Sequence, residues 1–185
     1  MKAWQDQYNH LKDAGINVNI SSKQLSQPNF TSKVVEALQA SGLKAESLSL
    51  EITEGVLIKN YSMASEIFSK LRKLGVQLQI DDFGTGYSAL GYLQYFPINA
   101  IKIDKTFVHE LGKSRRGTEL VRAIVSMARE LGMETIAEGI ETKKQLSTLQ
   151  TLFCSYGQGY LLSEPFEPTT IEKILTNQVV GQPQY

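Results

Sequence analysis

Short apolar runs alternate with longer segments of helical period along the whole chain, and no other feature narrows the possible folds as much. It is the pattern of repeated βα units laid over a parallel sheet. Strands are expected over residues 16–21, 47–53, 76–81, 100–103, 134–138 and 158–162. Helices are expected over 31–40, 62–74, 87–95, 117–131, 143–152 and 170–175. Gly42, Gly75 and Gly132 stand just past three of these helices, where a left-handed residue costs least. In the helix over 117–131, Leu120, Ile124, Ala128 and Leu131 recur at helical spacing and are expected to cover the sheet. A first helix over 4–13 leaves no room for a strand ahead of it, so the chain is expected to begin inside a βα unit.

Six units suit either a doubly wound open sheet or part of a (β/α)8 barrel, whose usual length scaled to six units is about 188 residues; the chain has 185. Residue pattern separates the two. Leu48, Leu50 and Ile52 alternate with Ser49 and Glu51, Val76, Leu78 and Ile80 with Gln77, Gln79 and Asp81, and Ile101 and Ile103 with Lys102 and Asp104. An open parallel sheet buried on both sides reads as a nearly continuous apolar run. Polar residues on one face near each strand's carboxyl end fit a barrel lumen, where chemistry collects. The fold class expected is α/β, a TIM-type barrel represented by about six of its eight βα units. Residues 1–176 are read as a partial domain and 177–185 as a C-terminal tail.

Nineteen Lys and Arg balance nineteen Asp and Glu, so no overall field draws the chain to a nucleic-acid polymer or a bilayer, and an anionic ligand must be held locally. Cys154 is the single cysteine, and with His10 and His109 in polar surroundings there is no cluster of zinc spacing. Cys154 reads as a small buried filler, and Arg115 and Arg116 as a solvated loop pair. The polar start lacks the apolar run of a signal peptide, and the expected setting is cytoplasmic.

Superposing the expected strands by their carboxyl ends brings Asn19, Glu51, Asp81, Asp82, Lys102 and Glu138 towards one mouth. Converging carboxylates repel and are costly to desolvate, so they share protons or bind cations. Hard oxygen donors favour Mg²⁺ or Mn²⁺ over zinc. Adjacent Asp81 and Asp82 suit two ions, one bridged and one held singly, which is the arrangement for in-line phosphoryl displacement, and a lysine among them can stabilise phosphate charge or orient water. Each residue also has a plainer reading. Glu51 and Lys102 are then solvated strand residues, Asp81 and Asp82 a turn that caps the next helix, Glu138 a helix-leading acid and Asn19 a strand terminator. A rival reading comes from Gly84–Ala89, which matches G-x-G-x-x-A after a strand with Asp104 about 20 residues on, as in dinucleotide-binding folds. Two acids directly before the glycines argue against a pyrophosphate there.

The segments VNISSKQL, LSLEITEG, LGVQLQIDDFGTGYSALGYLQYFPINAIKID, ETIAEGIET and GQGYLLSEP resemble, in order and across nearly the whole chain, the EAL-domain phosphodiesterases that cleave cyclic di-GMP. The resemblance implies a (β/α)8 barrel, two Mg²⁺ or Mn²⁺ ions, and hydrolysis of one phosphodiester to linear pGpG. It implies metal ligation by Asn19, Glu51, Asp81 and Asp82, with Lys102 and Glu138 serving the water and the phosphate. Gln158 falls near the mouth, Glu54 holds the loop from Phe83 to Ser88, and Glu141 is a further support. The family takes its name from a Glu-Ala-Leu motif near its amino end, with an arginine nearby that helps bind substrate. This chain is expected to contain no such tripeptide and to lack that metal-ligating segment, which would fall before Met1, so weakened metal binding and impaired hydrolysis are expected and a non-catalytic receptor or regulatory module is the alternative. Exposed sheet edges imply a homo-oligomer or completion by another chain, and the family often carries an upstream sensory or GGDEF-type domain, through which a parent protein would be membrane-anchored.

Overall fold

The computed structural model describes residues 1–59, 61–86 and 90–180. In chain order these form α1 (Lys2–Gln7), β1 (Ile16–Ile20), α2 (Ser22–Leu25), α3 (Phe30–Ser41), β2 (Leu48–Thr53), α4 (Glu54–Lys59), α5 (Tyr61–Lys73), β3 (Gln77–Phe83) and α6 (Leu90–Leu93). There follow β4 (Ala100–Ile103), α7 (Lys105–His109), α8 (Arg115–Glu130), β5 (Glu134–Ala137), α9 (Lys143–Thr151), β6 (Tyr156–Gly157) and α10 (Pro168–Val180). The six strands lie in one parallel sheet in sequence order, each paired to the next. This is the expected α/β, TIM-type succession of βα units. No helix among the described residues is long and apolar enough to cross a membrane.

The outward faces of the strands build the core. Leu50, Ile52, Leu78, Ile80, Ile101 and Ile103 are all at most 2% exposed and pack against the helix layer. Alternation sends the residues between them, Glu51, Gln79 and Lys102, to the opposite face, and these are buried as well. Both faces of the central strands are thus closed, one apolar and one polar. β1, at the edge, is exposed along Ile16–Asn19.

Helix boundaries follow local chemistry. Ser114 accepts from the Gly117 N–H to cap α8, and Thr142 and Gln145 form a reciprocal capping box at α9. Gly42, Gly75 and Gly132 take positive φ at the helix ends, as expected. Three expectations shift. The buried stripe of α8 is Val121, Ile124, Val125 and Ala128, whereas Leu120 is 45% and Leu131 38% exposed, because the stripe at spacings of three and four sits one residue on from Leu120. The last strand is Tyr156–Gly157 rather than 158–162. Beyond it Gly159 lies flush on Ile140, where a Cβ would fall 2.2 Å from the Ile140 nitrogen, and its carbonyl accepts from Leu162 and Ser163 to turn the chain out of the sheet. The final helix runs to Val180, beyond the residue 175 expected. Arg115 and Arg116 open α8 on its exposed side, and Cys154 is half-buried with Sγ 3.7 Å from the Thr135 carbonyl oxygen.

Candidate active site

The polar face converges on Lys102. Its ammonium donates to Glu51 Oε2 at 2.8 Å, to Asp81 Oδ1 at 2.8 Å and lies 2.7 Å from Glu138 Oε1. The four residues come from β2, β3, β4 and the residue after β5, so a single side chain ties together four consecutive strand ends. Lys102 is 4% and Glu51 6% exposed; the solvated-strand reading of both is therefore excluded. Burial alone would lower the lysine's pKa, but three carboxylate partners outweigh it and hold the ammonium well above its ordinary range. Glu138 moves up from the usual carboxylate range, first because it is desolvated and then because Asp81 and Glu51 repel its charge, against the attraction of Lys102.

Strict alternation would point Asp81 and Asp82 to opposite faces of β3. A register shift between Ile80 and Phe83 against β4 prevents this, and Asp82 adopts φ +53°. The bulge turns both carboxylates to the same mouth, where oxygens of Asp81, Asp82 and Glu138 lie within 4.8 Å of one another. Asp82 is raised above the usual range by desolvation and by the charges of Asp81 and Asp104. Hard carboxylate oxygens at this spacing, with more negative charge than Lys102 offsets, fit a divalent cation.

The remaining expected residues stand around this network. Asn19 is in register with Glu51 on the neighbouring strand and is exposed at the sheet edge. Glu54, 3% exposed at the start of α4, accepts from the Gly84 N–H at 3.3 Å. That bond sets a carboxylate against the first amide of the glycine loop, which counts against a pyrophosphate there. Asp104 is likewise engaged, as the N-cap of α7 accepting from Thr106. The loop expected to be held by Glu54 continues through Tyr87 and Ser88, which lie outside the described residues. Gln158 Nε2 donates to Glu138 Oε1 at 2.8 Å. Glu138 Oε1 thus faces two donors, Lys102 and Gln158. Glu141 sits 3.4 Å from His109.

A cavity of about 620 Å³ opens beside Glu138, walled by α7 on one side and by the turn after β6 on the other. Lys105, His109, Glu141, Gln158 and Tyr160 line it. Lys105 and His109 were not among the sequence candidates. The signal available was their place directly after β4, a strand whose carboxyl end already carried Lys102.

The expectation that the chain lacks a Glu-Ala-Leu tripeptide is corrected. It occurs at Glu36–Leu38, but within α3, where Glu36 is exposed and on a helix rather than at a strand's carboxyl end.

The family model described as "EAL domain" matches residues 1–165. The chain is 40% identical over 158 residues to the cyclic di-GMP phosphodiesterase NbdA of Pseudomonas aeruginosa, a match covering 85% of this chain and 20% of that protein. The chain therefore spans about a fifth of that relative. Among solved structures, the PaMucR phosphodiesterase in complex with c-di-GMP superposes with a TM-score of 0.87 at 36% identity, covering 92% of this chain and 68% of that one. The Klebsiella pneumoniae BlrP1 manganese and cyclic-di-GMP complex gives 0.77 at 28% identity, covering 86% and 41%.

Proposed function

The chain belongs to the EAL-domain family, and on that premise we propose that it is the metal-dependent phosphodiesterase part of a signalling protein, hydrolysing cyclic di-GMP to linear pGpG. The observation that carries this reading is the Lys102-centred carboxylate cluster at the mouth of a cavity of about 620 Å³. In this reading Asp81, Asp82, Glu51 and Asn19 hold two ions, Mg²⁺ or Mn²⁺, with Glu138 bordering the ion at Asp81 and Asp82, and Lys102 and Glu138 act on water and phosphate. When bound, such ions stabilise charge on the phosphoryl oxygens and acidify a water for in-line attack.

The chain's own groups supply the rest. Lys102 places one positive charge among the carboxylates, ready to face the phosphate as its charge grows. Glu138 has Oε1 occupied by Lys102 and Gln158, which leaves Oε2 to accept the proton of the attacking water. Its raised pKa suits that role. The product carries a 5′-phosphate, so the bond that breaks joins phosphorus to the 3′ oxygen, and the proton lost by water ends on that oxygen. Glu54, through Gly84, steadies the loop after Asp82, and Glu141 supports the far side of the site.

The second reading is a non-catalytic receptor of the same dinucleotide. It is favoured by the chain's Glu-Ala-Leu tripeptide lying within α3 rather than at a strand's carboxyl end. Incubation with cyclic di-GMP and Mn²⁺ separates the two: pGpG that disappears in Asp81→Asn supports the enzyme, and tight binding without product supports the receptor. In either case residues 1–176 are assigned to the domain and 177–185 to a tail that begins in the last turn of α10, in a cytoplasmic setting. The exposed edge along β1 is where another copy, or another part of the parent protein, would pair.

A further inference from the structure

The segment Glu138–Glu141 carries Glu138 at one end and is fixed on three sides. Towards β4, the Glu138 N–H donates to the Ile103 carbonyl at 3.1 Å. Towards β6, the Ile140 N–H donates to the Gln158 carbonyl at 3.1 Å, and the Ile140 side chain is 1% exposed. At its end, the Glu141 N–H donates to Gln145 Oε1 at 2.9 Å. The fourth side faces α7. There Gly139, at φ +68°, lets the segment lie so close that a Cβ would fall 2.6 Å from Lys105 Cβ and 3.5 Å from His109 Nε2.

Across this close contact stands His109. Its Nε2 is enclosed and makes no hydrogen bond of normal geometry among the described residues. The acceptor within reach is Glu141 Oε1, at 3.4 Å. A lone pair on an enclosed nitrogen facing a carboxylate would be repelled, so the proton belongs on Nε2, aimed at Glu141. We propose that His109 is a positioning residue: with its Nε2 proton directed at the Glu141 carboxylate across 3.4 Å, it holds the Glu138–Glu141 segment against α7 and so fixes Glu138 relative to Lys102. The inference rests on the reading of the cluster as a metal-dependent hydrolytic site, and it assigns His109 no contact with substrate.

The test uses the 185-residue chain, which has two histidines, His10 and His109. Long-range ¹H–¹⁵N correlation spectra identify which ring nitrogen of His109 is protonated, and the ¹³C carboxyl resonance of Glu138 reports its environment without metal. The expected result is a proton on Nε2 whose signal moves in Glu141→Gln, and a Glu138 resonance displaced in His109→Leu but returned by His109→Gln, which keeps an N–H donor. A proton on Nδ1 alone, an unmoved Glu138 resonance in His109→Leu, or equal displacement in both variants overturns the proposal. None of these spectroscopic readouts needs turnover or metal. Failure to form pGpG would therefore count against the phosphodiesterase reading and leave the role of His109 decided.

Discussion

Replacing Lys102 by Met keeps the buried stem and removes only the charge, which isolates the electrostatic part of the cluster. In the native chain the ammonium is within 2.8 Å of Glu51, Asp81 and Glu138, with the lysine side chain 5% exposed and those carboxylates 6%, 14% and 16%. The variant leaves three poorly solvated carboxylates facing one another. Breaking a buried ion pair by removing one partner costs about 3–5 kcal/mol. At a urea m-value of about 2 kcal/mol/M, the unfolding midpoint should fall by about 1.5–2.5 M at pH 7. The sign of the pH dependence follows from Glu138, whose folded-state pKa already lies above its ordinary value. A carboxyl raised on folding favours the native state below its unfolded pKa, and that contribution is lost as pH rises through the folded value. Without Lys102 the upward shift grows, so the deficit should be largest at neutral pH and shrink as the solution is acidified and the carboxyls take up protons. Lys102 itself remains charged throughout, because its folded pKa is raised. Urea titrations followed by circular dichroism at neutral and mildly acidic pH measure both quantities. A loss below about 1 kcal/mol, or one that is the same at both pH values, would refute the view of Lys102 as the counterion on which the cluster depends.

Three further outcomes follow from the same geometry. Because Asp82 and Glu138 are both raised, Mn²⁺ must displace protons from them, so calorimetry in buffers of different ionisation enthalpy should show proton release on the acid side, with affinity tightening as pH rises. In Glu54→Ala the Gly84 N–H loses its carboxylate acceptor, and stability should fall by about 1–3 kcal/mol, read as a lower thermal midpoint. Gly159→Ala forces a Cβ to within 2.3 Å of Ile140 backbone atoms, so the turn after β6 must move; hydrogen exchange at Ile140 and Leu161 should accelerate, whereas unchanged exchange would show that the turn adapts freely.

Much of the fold was legible because period and position coincide. The alternation in LSLEIT, VQLQID and AIKID marked both the apolar and the polar faces of β2, β3 and β4, and these strands lie where expected to within two residues. Glu51, Asp81, Lys102 and Glu138 were legible as a group for the same reason, since parallel strands in register carry their carboxyl ends to one side. The bulge after Ile80 was not legible. Period alone assigns Asp81 and Asp82 opposite faces, and only the broken register shows how both reach the mouth. The sixth strand was misplaced because GQGYLL has the apolar content of a strand, whereas the close packing of Gly159 on Ile140 that bends it away is a tertiary contact. Of the residues that helical spacing put on the covered face of α8, Ile124 and Ala128 are buried, whereas Leu120 and Leu131 are exposed and Val121 and Val125 complete the stripe. His109 was read only as a histidine without zinc spacing, because its partner, Glu141, is 32 residues away in sequence.

The most direct test is an anomalous-difference map from crystals of the 185-residue chain soaked in MnCl₂. Acids delivered by separate strand ends to one rim should hold manganese, with a peak bounded by Asp81, Asp82 and Glu138 that is absent in Asp81→Asn. Saturating manganese that leaves those three carboxylates without a peak would contradict the account.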